Sequence, residues 1–324
     1  MDPEGRGDVS QAERGKLRAP SLITELGAPF IHCWLSQKSM TTVHFIFVVS
    51  LLLGLIHSVS GKPLPEPFRV IPLYKGVAPG SENWDWEENT AESRKGLPML
   101  QNVVKPELLY YPPDPGTDVG TAMVVCPGGG YRTLMMSYEG VDIAQYLNTL
   151  GVHAFVLKYR LTHQGDSANQ EGQDVRRLAG KDGQQAIRLV RRGAADMGIK
   201  PNQIGMIGFS AGGGVTLSSV LGSRDGRPDF AVPVYTGGTL RADSIEVPEN
   251  APPLCIFTAA NDQVIPWERS MELFVAWKKA GFLAELHIFQ AGRHGFVEKG
   301  GGADHFMDRL KEWMQVNGWL NVSP

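Results

Sequence analysis

The sequence predicts an α/β protein whose central sheet is mostly parallel and carries helices on both faces. Three observations predict it: short and almost continuously apolar runs, longer amphipathic stretches, and regular alternation of the two. The apolar runs are 121–126, 152–157, 204–209, 230–235, 254–258 and 283–289. A strand with one wet face alternates apolar and polar residues, whereas a strand covered on both faces need not, and most of these runs do not. Between them, helical spacing predicts helices over 139–150, 183–197, 211–221, 267–280 and 305–317. In the second of these, Ala186, Ile187, Val190, Ala194 and Met197 share one face, with Arg188, Arg191 and Arg192 on the other. Pro201 and Pro266 punctuate where helices end or begin.

Composition sets the outer limits. With 324 residues, 42% hydrophobic and 20% charged, the chain can bury roughly three quarters of its unfolded surface without a metal or disulfide staple. The 31 basic and 34 acidic residues nearly cancel, to a net charge of −3, and form no block of one sign. Nothing in that balance suggests a nucleic-acid partner. Three cysteines are too few for a disulfide scaffold or for an iron–sulfur or zinc cage of thiols; no metal or cofactor is expected.

The apolar run 45–56 is shorter than the about 20 residues a membrane-spanning helix needs, but it suits the core of a signal peptide. Ser58 and Ser60 then offer the small residues of a cleavage site. The expectation is a leader over 1–39, non-native or disordered, and a signal peptide over 40–60 starting near Met40. It implies export to the periplasm or the cell exterior, with no stable membrane insertion after cleavage. Residues 61–100, rich in Pro, Gly and acidic side chains and carrying Trp84 and Trp86, read as an extended arm over the main domain, 101–324.

Directly after the run 204–209 stands Gly208-Phe209-Ser210-Ala211-Gly212, a G-x-S-x-G in the strand-to-helix setting that it requires. Such a serine must turn sharply, and side chains at 208 or 212 would strike the neighbouring strand and helix. Its position at a helix N-terminus lets the Ala211 N–H meet a developing negative charge. The partners of such a serine follow as acid and then histidine. Of the late histidines, His287 lies inside a strand and His305 at the start of the last helix. His294, in the glycine-flanked loop 292–296, hangs beyond a strand end, where a base is needed. Asp262 follows its strand closely enough for its loop to fix a carboxylate, and Asp243 is the runner-up. After Cys126 come Gly128, Gly129 and Gly130. Three consecutive glycines at a strand end suit close approach of backbone N–H groups, so Gly129 and Gly130 join Ala211 as the expected oxyanion hole. The Lys and Ser/Thr of a phosphate-binding loop are absent, and no dinucleotide spacing follows.

The strings 126–131, 155–160, 204–213, 260–266 and 294–296 resemble those of the acetyl xylan esterase-like branch of the serine α/β-hydrolases, some of whose members are described as feruloyl esterases. The resemblance covers about residues 100–318. It implies the α/β-hydrolase fold, a catalytic domain over 101–324, and a triad of Ser210, Asp262 and His294. It further implies a serine carboxylesterase that removes acetyl or another small acyl group from a carbohydrate such as xylan, which with the signal peptide read above would be exported. The implied strand order separates the strands of Cys126 and Cys255 by about three positions. That is ~14 Å, too far for a disulfide, which makes both buried thiols. Two departures stand out: relatives often carry His where Gly214 stands, and the arm with Trp84 and Trp86 has no matched counterpart. The loop 162–174 is almost wholly polar, which suits a water-soluble ester better than an oil interface. Tyr131 and Trp267, beside the glycines and the Asp262 loop, are the expected substrate contacts. A serine peptidase or amidase, and a non-catalytic carbohydrate-binding relative, remain as other classes.

Overall fold

The computed structural model describes residues 64–93, 95–163, 171–236, 245–299, 303 and 305–321. The expected leader, the expected signal peptide and Asp243 lie outside them, as do residues 164–170 of the polar loop. In chain order the strands are β1 (Arg69–Pro72), β2 (Asn89–Glu92), β3 (Pro98–Gln101), β4 (Glu107–Tyr111), β5 (Ala122–Cys126), β6 (Thr133–Leu134), β7 (His153–Lys158), β8 (Ile204–Phe209), β9 (Phe230–Val234), β10 (Leu254–Ala259) and β11 (Ala284–Phe289). The helices are α1 (Asp142–Thr149), α2 (Glu171–Arg192), α3 (Ala211–Val220), α4 (Glu268–Lys279), α5 (Phe296–Lys299) and α6 (Phe306–Val316).

Eight strands form the central sheet, in the order β1-β4-β7-β5-β8-β9-β10-β11. The pairs β1–β4 and β4–β7 are antiparallel, and every pair from β7 to β11 is parallel. Flanking helices cover it, α1 against β7, α3 against β8 and β9, and α4 against β11. Every residue of β5, β7, β8, β9 and β10 is buried, which explains their lack of alternation. The outer strands β1 and β11 mix exposed and half-buried residues. Cys126 and Cys255 are buried free thiols, three strand positions apart.

Two differences from the sequence reading have physical causes. The second predicted helix begins at Glu171 rather than 183. Its apolar stripe runs on upstream through Val175, Leu178 and Ala179, all buried. Gly180 and Gly183 inside the helix mark a close approach: a Cβ at Gly180 would strike the Ser218 side chain, and one at Gly183 would sit 2.6 Å from Val215. The glycines let α2 lie tightly on α3. The predicted helix over 139–150 opens with a π-helical turn, Ser137–Val141, before α1.

Residues 64–93 and 95–100 of the expected arm are woven into the domain. β1 extends the central sheet on β4, while β2 and β3 pair with each other and then with β6 in a second, three-stranded antiparallel sheet. Arg160, fully buried just after β7, holds Asp182 of α2 through Nε at 3.0 Å and Nη2 at 2.7 Å. The same guanidinium donates to the Pro79 carbonyl at 2.8 Å, and the Tyr74 hydroxyl donates to Asp182 at 3.0 Å. One buried pair thus joins sheet, helix and arm.

Candidate active site

Ser210 stands where β8 ends and α3 begins, with φ 51° and ψ −114°, a conformation that side-chain-bearing residues rarely adopt. The turn is held because the Ser210 N–H donates to the Val234 carbonyl of β9 at 3.0 Å. Its flanking glycines are sterically required. A Cβ at Gly208 would collide with the Gly212 carbonyl, and one at Gly212 with the Cys126 carbonyl of β5. Strand and helix therefore cross closely enough to expose the hydroxyl at the carboxyl edge of the sheet.

His294 hangs in the loop after β11, between Gly292, Arg293 and Gly295, all with positive φ. Its Nε2 lies 2.9 Å from Ser210 Oγ and its Nδ1 lies 2.8 Å from Asp262 Oδ2. Asp262 follows β10, and its side chain is fully shielded from solvent. Its other oxygen accepts the Val264 and Ile265 N–H groups at 2.8 and 2.9 Å. Burial pushes the Asp262 carboxyl up, but bonds from His294, Ile265 and Val264 outweigh it and hold the carboxyl below its ordinary range. An ionised carboxylate only accepts, so Nδ1 carries the proton and Nε2 is left to accept from the serine hydroxyl. The two loops are tied together, since the Arg293 N–H donates to Asn261 Oδ1 at 2.8 Å. Beneath them lies an aromatic floor, with Tyr235 edge-on to His294 at 5.1 Å and to Phe296 at 4.8 Å.

Beside the serine, Gly129 and Gly130 carry φ of 135° and 66°. A Cβ at Gly129 would run into the Thr133 carbonyl. Neither N–H donates a hydrogen bond among the described residues, and the Ala211 N–H, first in α3, has no carbonyl one turn back to bond. The structure thus brings these three donors into the loop after β5 and the turn after β8, which are neighbouring strands.

Glu139 was passed over in the sequence, where it reads as the first acidic residue of a helix. It is buried, and its carboxylate accepts the Gly128 N–H at 2.8 Å and the Tyr235 hydroxyl at 2.6 Å. It fastens the glycine loop to the residue under His294. Its signal was an acidic side chain enclosed by apolar neighbours just downstream of a glycine run.

Tyr131 packs over the start of α3, where a Cβ on Gly214 would meet its hydroxyl; the tyrosine ring thus lies over the position where relatives often carry His. Burial pushes the Tyr131 phenol up to about 12, and Arg176 sits 5.6 Å over its ring. Trp267, at the N-terminal end of α4, is half-buried, and no ring contact or side-chain hydrogen bond joins it to Ser210, His294 or Asp262. His287 stacks on Phe257 at 5.0 Å and bonds Glu285 at 2.7 Å, and His305 bonds Asp308 at 3.0 Å. Among the described residues, metal-ligating atoms converge at Cys255, Glu285 and His287, but burial pushes the Cys255 thiol up, away from the thiolate a metal prefers.

Several known proteins share this architecture. The chain is 30% identical over 242 residues to an acetylxylan esterase of Xylanibacter ruminicola, covering 65% of this chain and 47% of that protein. It is 28% identical over 213 residues to endo-1,4-beta-xylanase B of Butyrivibrio fibrisolvens, covering 54% of this chain and 32% of that one. The chain therefore spans about half the length, or less, of these curated relatives. Among solved structures, the acetyl ester-xyloside bifunctional hydrolase of Caldicellulosiruptor lactoaceticus superposes with a TM-score of 0.58 at 25% identity, covering 81% of this chain and all of that one. The Thermogutta terrifontis esterase Est2, at 21% identity and a TM-score of 0.57 over 74% of this chain and 96% of that one, shares the fold. Residues 143–322, more than half of the chain and carrying Ser210, Asp262 and His294, match the Dienelactone hydrolase family. With that match and an α/β-hydrolase sheet that carries the serine turn, the chain belongs to the dienelactone hydrolase family.

Proposed function

We propose that the protein is an exported serine carboxylesterase that removes acetyl, or another small acyl group, from a carbohydrate such as xylan. The observation that carries this reading is the unbroken hydrogen-bond line from Ser210 Oγ through His294 to Asp262. Ser210 Oγ attacks the ester carbonyl while His294 Nε2 takes its proton. Asp262 keeps the imidazole in the tautomer that can do so and balances the imidazolium. The tetrahedral oxyanion is met by the Ala211 N–H and by the Gly129 or Gly130 N–H, backbone donors that need no rearrangement as the charge develops. The sugar hydroxyl leaves with the proton from His294. Water then attacks acyl-Ser210 by the reverse roles and releases the acid.

The similarity to an acetylxylan esterase and to an acetyl ester-xyloside hydrolase supports the acyl and sugar parts of the reading. The apolar run before Ser58 supports export. Among the described residues no helix is long and apolar enough to cross a membrane. The decisive assay compares release of acetate from acetylated xylan with hydrolysis of p-nitrophenyl acetate and a long-chain p-nitrophenyl ester. Acetate release that falls by roughly 10⁴-fold or more in Ser210→Ala is expected. A preference for the long chain would overturn the sugar-ester assignment, and wild-type rates in Ser210→Ala would overturn the mechanism.

A further inference from the structure

The segment around Trp84 and Trp86 takes no part in the reaction described above, yet it is tied to the domain at both ends. Upstream, Arg160 bonds the Pro79 carbonyl at 2.8 Å and Ser81 at 3.3 Å. Downstream, Lys158 holds Glu88 at 2.8 Å. Between these two cationic anchors the indoles stack on each other at 4.7 Å, and Trp86 lies tilted over His163 at 4.9 Å. Trp84 and Trp86 are both half-buried, so the aromatic column is neither core nor loose surface. With Gly80, Thr162 and Arg177, the three rings line a cavity of about 210 Å³. Trp84 also lines a second cavity of about 410 Å³, which includes Tyr74 and Lys105.

Two features point to what such a place would hold. The Trp86 Nε1–H is buried and meets no acceptor among the described residues. An indole N–H shut away from water without a partner is costly, so the stack is kept at some expense of stability. Flat aromatic walls beside polar donors are the combination that grips a pyranose, whose C–H face packs on a ring while its hydroxyls bond around the rim. The column also adjoins the ester site. The Thr162 N–H donates to the Tyr131 carbonyl at 2.9 Å, Tyr131 follows the oxyanion glycines, and Arg176 over the Tyr131 ring is the chain neighbour of Arg177.

We infer that Trp84, Trp86 and His163 form a subsite for the sugar chain whose acyl group is presented to Ser210, with unacylated pyranose units packing on Trp84 while Trp86 and His163 back the indole and hold it in place. Two cavities sharing one indole wall suit consecutive units of an oligosaccharide rather than a lone monosaccharide. The inference rests on the carbohydrate-ester reading above and adds to it where the polymer lies.

The test uses the whole chain with Trp84→Ala and, separately, Trp86→Phe, which keeps a ring in the stack but removes the N–H. For each, kcat/KM is measured on acetylated xylo-oligosaccharides and on p-nitrophenyl acetate. The expected result is a fall of roughly five- to tenfold in the ratio of the two for Trp84→Ala, carried by KM, and a smaller fall for Trp86→Phe. In parallel, unacetylated xylohexaose is titrated against Ser210→Ala by tryptophan fluorescence, where saturable quenching lost in the added Trp84→Ala change is expected. An unchanged ratio, absent xylohexaose binding, or a loss that appears on methyl ferulate instead of the oligosaccharide would overturn the subsite. Wild-type protein that cleaves p-nitrophenyl acetate but frees no acetate from any acetylated saccharide would instead sink the carbohydrate reading itself.

Discussion

Asp262 shows how one side chain couples stability to chemistry. Its carboxylate is buried, and three donors hold it ionised, those from His294, Val264 and Ile265. Replacing it with Asn keeps the size but presents an amide that can offer Nδ1 the wrong partner. Turnover of p-nitrophenyl acetate by Asp262→Asn is expected to fall roughly 10³–10⁴-fold with little change in KM. The folded carboxyl lies below its ordinary value, so its stabilising share is fully present above the unfolded carboxylate pKa of about 4. That share is lost as pH falls through the lowered folded value. The Tm gap between wild type and Asp262→Asn is therefore expected to be widest above about pH 4 and to close below it. Thermal melts across pH 2.5–7 check this, and a gap that stays constant over the range would refute it.

Among the elements, the turn after β5 does the most with the least sequence. Gly129 and Gly130 both have positive φ, but their surroundings differ sharply. A Cβ at 129 collides with the Thr133 backbone, whereas one at 130 has open space. Gly129→Ala is expected to displace the loop and lower kcat by roughly 10²–10³, the size of losing an oxyanion donor. Gly130→Ala meets only backbone strain and is expected to cost about 1–2 kcal/mol of stability. Urea titrations read alongside kinetics on p-nitrophenyl acetate separate the two, and equal behaviour of the pair would contradict the geometry. The same logic explains α2, whose Gly180 and Gly183 look like helix breakers and are in fact the contact surface for α3.

Across the whole molecule, the Arg160–Asp182 pair links β7, α2 and the arm with no exposed atom on either side chain. Removing one partner of a buried pair leaves an uncompensated charge, so Asp182→Ala is expected to destabilise the fold by about 3–5 kcal/mol. A urea midpoint within 0.5 kcal/mol of wild type in ΔG would show that the pair is dispensable. Because Arg160 also bonds Pro79 and Ser81, the variant should loosen the arm before the sheet, with hydrogen exchange rising first over residues 74–88.

Local chemistry in the chain was enough for the interior strands, whose unbroken apolar runs follow from burial on both faces. The same holds for the serine turn, where residue type and backbone demand coincide within five positions. The choice of His294 over His287 and His305 was also readable, because a strand end followed by glycines can be recognised from neighbours alone. What folding alone decided were relations between distant segments. The edge strand β1 is short and largely exposed, and only its pairing with β4 makes it a strand. Glu139 looked like an ordinary helix start until Gly128 and Tyr235 closed on it from elsewhere in the chain. The arm read only as an extended stretch because its partners, Arg160 and Lys158, lie about 70–80 residues away. Periodicity and turn chemistry act between near neighbours, whereas a buried ion pair, a cross-chain hydrogen bond or an aromatic column exists only once the backbone has brought its members together.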